Sequence, residues 1–168
     1  AGSDGLVITA VTATSYIRLN GNNTYTGLTD VQSGFLWGGN ANCFGGTADG
    51  AVIRSGATVY LTGVTYAAEP MDLNGGSLRS ENNHSPIFTG AVTLSAPSTI
   101  DNQGNGVFTL DVAAGDGIAM GTNNLTVNAT GAGNPGINIL DPITGSGNIS
   151  KTGAGTVWFQ GVNTYSGN

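Results

Sequence analysis

Asp111 and Asp116, in TLDVAAGDG, are the nearest pair in this chain to a glycoside-cleaving couple. Such hydrolysis needs two carboxylates about 5–10 Å apart, one to protonate the leaving oxygen and one to attack or to activate water. The surroundings favour a plainer reading, a strand-end aspartate followed by a turn aspartate. Asp101, in TIDNQG, reads as a turn former, and Glu69 and Asp72 flank Pro70 at a solvated corner. A lyase would gather Asp with Arg or Lys, whereas Arg18, Arg54, Arg79 and Lys151 are scattered one to a region. No catalytic residue follows from these positions.

Metals fare no better. GSDG (2–5) and AGDGIAMG (114–121) faintly resemble calcium-binding G-x-D-x turns, but the nine-residue period of such sites is missing. His84, alone in ENNHSP, can build neither a His-rich metal site nor a triad and reads as a polar loop residue. Cys43 is the only cysteine, so no disulfide forms within the chain. It reads as a small buried apolar residue, with a free thiol or an intermolecular bridge as alternatives. No metal and no cofactor is expected. Trp37, Trp158, Phe159 and Tyr165 suit a core or mutual stacking, with a sugar-stacking platform as the alternative. Asn22, Asn124 and Asn128 begin formal glycosylation sequons of the kind that arise by chance in a chain rich in Asn and Thr. Thr-x-Thr at 12–14 and 24–26 is too isolated for an ice-binding ladder.

The composition narrows the classes further. The 168 residues suit one domain, or one segment of a longer array. Four basic residues face ten acidic ones, and a net charge of −6 argues against nucleic acid and anionic membranes. No apolar run approaches the roughly 20 residues of a membrane-spanning helix. The first residues, AGSDG, have neither the basic nor the apolar region of a signal peptide. Charged residues make up 8% of the chain, where about 25% is usual, and there are 29 glycines.

No helical stripe is present, since Gly or Asn interrupts every window. Short β-type runs occur instead: GLVIT (5–9), SYIRL (15–19), SGFLW (33–37), GAVIR (50–54), ATVYL (57–61), GSLR (76–79), GAVTL (90–94), GVFTL (106–110), NLTV (124–127), GINIL (136–140) and TVWF (156–159). NGN, GGN, NGG, NQGN, GTNN and GSGN punctuate them. The chain is all-β, and an internal repeat chooses among the β architectures. GSDGLVITAVTATSYIRLNGNNTYTG (2–27) aligns with GSGNISKTGAGTVWFQGVNTYSG (145–167), with a shorter echo at GVTYAAE (63–69). One such unit cannot bury its apolar side; stacking on a neighbour can. In a parallel β-helix each strand lies about 4.8 Å above an equivalent one. Like charges would then stack at that spacing, while Gly and Asn suit the corners. At roughly 20–25 residues per coil, about seven or eight coils are expected over the single module 1–168, with repeat-like segments 2–36 and 145–168.

ITGSGNISKTGAGTVWFQGVNTYSGN (143–168) resembles the autotransporter-associated β-strand repeat, whose cadence is G-S-G-x-L-x-K-x-G-x-G-T-L-x-L-x-G-x-N-T-Y-x-G. Gly145, Gly147, Lys151, Gly153, Gly155, Thr156, Gly161, Asn163, Thr164, Tyr165 and Gly167 match it. The N-terminal copy keeps Gly21, Asn23, Thr24, Tyr25 and Gly27 with the following TDVQSGFL, but lacks the K-x-G-x-G segment. The middle of the chain is similar to the connecting sequence of such proteins. The resemblance implies a right-handed parallel β-helix on the outside of bacteria, in large surface or secreted proteins that are often adhesins or stalk-like passengers. No membrane-barrel segment is visible in the sequence.

The expected function is therefore structural and extracellular, without catalysis. Neither end shows a helical or charged cap, and the chain starts and stops at complementary points of the repeat. This leads to an expected homopolymer of head-to-tail copies, or else docking on neighbouring repeats of a longer chain, with no nucleic acid and no membrane insertion. The expected contact residues are Gly161, Asn163, Thr164, Tyr165, Gly167 and Asn168 at the C-terminal end, and Leu6, Val7 and Ile8 at the N-terminal end. An adhesin that binds host or glycan surfaces is the alternative, and a polysaccharide-active β-helix enzyme the third.

Overall fold

Runs such as AVIR and ATVYL send alternate side chains to opposite faces, and Gly or Asn turns end them after a few residues. The result, in a computed structural model that describes residues 4–9, 16–112, 115, 117–131 and 136–168, is a chain that winds and stacks parallel strands on three sides. The first two passes supply β1 (Leu6–Ile8), β2 (Tyr16–Leu19), β3 (Thr29–Val31) and β4 (Gly34–Gly38). Three strands follow on each later pass. These are β5 (Ala51–Arg54), β6 (Ala57–Leu61) and β7 (Thr65–Tyr66), then β8 (Met71–Asn74), β9 (Ser77–Ser80) and β10 (Ile87–Phe88). Next come β11 (Val92–Ala96), β12 (Ser98–Asn102) and β13 (Phe108–Leu110), then β14 (Ile118–Ala119), β15 (Leu125–Ala129) and β16 (Ile137–Ile139). The last are β17 (Ile143–Thr144), β18 (Ile149–Thr152) and β19 (Val157–Phe159).

Sheet A runs β1-β3-β5-β8-β11-β14-β17, sheet B runs β2-β4-β6-β9-β12-β15-β18, and sheet C runs β7-β10-β13-β16-β19. This is a parallel β-solenoid, the expected fold class. It makes about six turns rather than the seven or eight expected. The coil length was sound, since one turn takes 20 residues from Ala51 to Met71 and 26 from Val92 to Ile118. The seven strands of sheet A are linked by six turns, and residues 164–168 then lie back against β17 and the turn that follows it.

The interior is built of columns. Leu36, Val59, Leu78, Ile100 and Val127 succeed one another in register along sheet B, all buried. Tyr66, Phe88, Leu110 and Ile139 do the same along sheet C. Each interior residue is enclosed by the turn above and the turn below. Cutting one from the middle, as in Leu78→Ala, should cost about 2–5 kcal/mol.

The outer face of sheet B carries a second column: Arg18, Trp37, Tyr60, Arg79, Asp101, Asn128 and Thr152 lie in register from β2 to β18. The guanidinium of Arg18 lies 5.5 Å from the Trp37 ring centroid, and Trp37 stacks on Tyr60 at 4.3 Å and 7°. Arg79 covers the other face of Tyr60 at 5.3 Å and pairs with Asp101. Asn128 Nδ2 donates to Asp101 over 2.9 Å, and Thr152 Oγ1 donates to Asn128 over 2.9 Å. A spacing of about 4.8 Å between strands brings such side chains into contact without bending the backbone.

Candidate functional site

The expected contact residues fall at opposite ends of sheet A. Leu6, Val7 and Ile8 form β1, its first strand; Ile8 is buried, Leu6 half-buried, and Val7 61% exposed. Gly161, Asn163, Thr164, Tyr165, Gly167 and Asn168 lie along β17 and the turn that enters β18. Thr164 N–H donates to Ile143 O at 3.0 Å, Ser166 N–H to Gly145 O at 2.9 Å, and Ile149 N–H to Asn168 O at 3.1 Å. Asn163 Oδ1 accepts from Ile143 N–H at 2.9 Å, and Asn148 Oδ1 from Asn168 N–H at 2.8 Å. Gly161 and Gly167 pass so close to the Asp141–Pro142 and Gly147–Asn148 backbones that a Cβ at either would strike them. Tyr165 packs its half-buried ring on the core.

The N-terminal copy of the phrase is held in a different place. Residues 22–27 lie between β2 and β3, against the segment that follows β4. Asn23 N–H donates to Asn42 O at 3.1 Å, and Asn23 Nδ2 donates to Cys43 O at 2.7 Å. Gly46 N–H donates to Tyr25 O at 2.7 Å. The Tyr25 hydroxyl meets Thr29 Oγ1 at 2.7 Å, and Thr29 Oγ1 donates to Phe44 O at 3.0 Å. Burial pushes the Tyr25 phenol up. Gly45, at φ +97°, backs onto the Tyr25 ring, where a Cβ would sit 2.7 Å from a ring carbon. SYIRL and TVWF, aligned in sequence, belong to sheets B and C respectively. The two copies thus share a local design and occupy different sides of the solenoid.

Exposed large apolar side chains gather at the same two ends. Among the described residues they are Val7, Tyr16, Ile17 and Leu28 at one end and Trp158, Phe159 and Val162 at the other. Ile17 and Phe159 are the end members of interior columns, left uncovered because no turn lies beyond them in the described structure. Lys151 is the unexpected member. It pairs with Val127, at the end of the interior column of sheet B, and its Nζ donates to Gly153 O.

The residues weighed for catalysis do not converge. Asp111 ends the segment after β13, with its N–H donated to Phe88 O, and Asp116 lies outside the described residues. Asp101 is no turn former but a buried member of β12, 1% exposed and paired with Arg79. Glu69 is not solvated either. It is 3% exposed, neither carboxyl oxygen has a hydrogen-bond partner, and burial pushes its pKa to about 7. Cys43 is buried, free and pushed up to about 11 by burial, as suits a small core residue. His84 is an exposed loop residue whose Nδ1 accepts from Gly63 N–H at 3.1 Å. Asp4 of GSDG is exposed, while much of AGDGIAMG lies outside the described residues. Among the described residues no three of His, Cys, Asp and Glu gather as a metal site would require. Trp37 gives its ring faces to Arg18 and Tyr60, so a sugar would find no open face there. The signal for this column was present in the sequence only as residues spaced by one turn.

A stacked solenoid with open end coils and two asparagine–tyrosine turns is the class of protein these features define. The passenger-associated-transport-repeat family model matches residues 17–37 and 149–168, the segments that hold both turns and the edge strands β2, β18 and β19. The chain carries two such repeats, the autotransporter-associated kind. No curated protein and no solved structure matches the chain. Repeat and fold together fit a passenger-like structural domain of bacterial autotransporters. They suggest a secreted or surface protein and point to a structural or adhesin role rather than to catalysis.

Proposed function

We propose that the chain is a structural module of a bacterial extracellular filament or surface stalk, which extends by stacking coil on coil at its ends. The partner is a further coil of the same kind, supplied by a head-to-tail copy or by neighbouring repeats of a longer chain. The observation that carries this reading is the confinement, among the described residues, of large exposed apolar side chains to the two end coils, where Ile17 and Phe159 continue interior columns. An apolar column member left at the surface gains roughly 25 cal/mol for each Å² that a further coil covers. The parallel edge strands supply main-chain hydrogen bonds in the same step. Stacking of this sort is heterologous and non-closing, so repetition of it makes a rod.

Electron microscopy of the untagged chain in physiological buffer tests the reading. Thin unbranched rods whose axial repeat is about one chain height, roughly 30 Å for six turns about 4.8 Å apart, are the expected result. Single particles at every concentration, with Val7, Ile17 and Phe159 replaceable by Ser without effect on mass, would overturn stacking by head-to-tail copies of this chain.

A further inference from the structure

Asn23 and Asn163 hold the same place in the two copies of NTY, yet their carboxamides are used in opposite halves. Nδ2 of Asn23 donates at 2.7 Å to Cys43 O, on the turn that follows. Oδ1 of Asn163 accepts at 2.9 Å from Ile143 N–H, on the turn that precedes. The partners fix which atom is which, because of the two carboxamide atoms only nitrogen can donate to a carbonyl and only oxygen can accept from a main-chain N–H. Both residues are half-buried on the inner side of their segments, between exposed neighbours. Superposed in role, the two copies describe one carboxamide that grips the turn before through oxygen and the turn after through nitrogen. In Asn163 only the first grip is filled; its Nδ2 has no partner among the described residues.

We propose that the asparagine of NTY is a two-sided axial clasp, and that Asn163 Nδ2 captures a further coil by donating to one of its main-chain carbonyls. The proposal rests on the coil-stacking reading and names the contact that makes it specific. The occupant is a solenoid coil, and its features are drawn by residues 42–46, which sit on the N-terminal copy. It offers main-chain carbonyls at the places of Asn42 O and Cys43 O, and a main-chain N–H at the place of Gly46. It also carries glycine opposite the tyrosine ring, since Gly45 lies against Tyr25 where a Cβ would be 2.7 Å from the ring. Tyr165 therefore sets a second condition on the coil that Asn163 holds.

An Asn-to-Asp exchange removes the Nδ2 donor while keeping an Oδ1 acceptor, so one substitution at the two sites separates the two grips. Asn163→Asp keeps the bond from Ile143 N–H. Its melting temperature should match the wild type, while the concentration needed for stacking, read by light scattering and electron microscopy, should rise at least about tenfold. Asn23→Asp breaks the bond to Cys43 O and should lower the melting temperature instead. Ser166→Asp, at an exposed place outside the expected contact residues, adds the same charge and should stack like the wild type. Equal stacking by Asn163→Asp and wild type, or an Asn23→Asp chain that melts like the wild type, overturns the clasp alone. A wild type that stays single at every concentration overturns the stacking reading and the clasp with it.

Discussion

The guanidinium of Arg79 meets the carboxylate of Asp101 at 2.5 Å, one turn apart along sheet B, and Asp101 is 1% exposed. Tyr60 lies under the guanidinium and accepts a bond from it at 2.9 Å, and Asn128 donates to the carboxylate from above. The pair is thus the middle of a column in which each layer contacts the next, although Arg79 Nε and Trp37 Nε1 are buried without a hydrogen-bond partner. Breaking such a pair leaves a charge enclosed without its partner, a loss on the order of 3 kcal/mol. Arg79→Met should be worse than Asp101→Asn, because the former strands the more deeply buried charge. Urea unfolding followed by far-ultraviolet circular dichroism checks the order; equal midpoints for both variants and the wild type would show the column to be ornamental.

Glu69 makes stability depend on pH. Its carboxyl is buried without a partner, and its pKa is raised from 4.5 to about 7 by burial, with Tyr25 and Cys43 as the titratable groups nearby that sense its charge. The folded chain keeps this proton over a range where the unfolded chain has lost it. Stability from this group is therefore full below about pH 4.5, falls as pH rises towards 7, and levels off above at a deficit of about 3 kcal/mol. Glu69→Gln should melt close to the wild type at pH 5 and clearly above it at pH 8. Parallel loss in both chains between the two pH values would mean that other groups govern the alkaline weakening.

Eleven of the strands correspond to runs that alternate or cluster apolar residues, and these are visible in the sequence. The strands that escape notice are short or polar. TDV of β3 is wholly buried even though Asp30 faces outward between the inward Thr29 and Val31, because Arg54 on the adjacent β5, one turn on, covers it and supplies two hydrogen bonds, at 2.7 and 3.1 Å. That contact also holds the Asp30 carboxyl below its usual range. Asp101 looked like a turn residue because its partner is one coil away and unreadable until the coil length is known. Glu69 looked solvated because it stands beside Pro70, and nothing local reveals that the turns above and below close over it. The repeated phrase was legible as a repeat, and so was the solenoid. The side of the solenoid on which each copy lies was not, since that depends on the lengths of all the intervening corners.

Two glycines separate backbone conformation from close approach. Gly147 runs against the main chain at Asn123, so a Cβ there would collide with backbone rather than with a movable side chain. Gly121 has φ +58° but nothing within 4 Å of a Cβ. Gly121→Ala should cost only about 1 kcal/mol, the ordinary penalty for a left-handed residue. Gly147→Ala must push two turns apart and should lose far more, together with the protection of the Ile149 and Leu125 amides. Amide hydrogen exchange of the two variants distinguishes the cases. Similar exchange in both would mean that the coils separate at little cost.

Lys151 stands at the same end of the solenoid as Asn163, on the edge of sheet B rather than against sheet A. It follows Val127 in an interior column that is apolar from Ile17 onward, and no carboxylate pairs with it among the described residues. A further coil laid in register on β18 must enclose its ammonium or displace it, and an enclosed, unpaired ammonium is strongly unfavourable. An inward charge at a sheet edge is a recognised guard against indiscriminate strand addition. Lys151→Met keeps the length of the side chain and removes the charge. It should stack at a concentration at least about tenfold lower than the wild type, worth about 1.4 kcal/mol, and with less order along the axis. Lys151→Arg should behave as the wild type does. If the methionine variant stacks no more readily, measured by light scattering over a concentration series, the lysine lies clear of the joint and the edge of sheet B is guarded by something else.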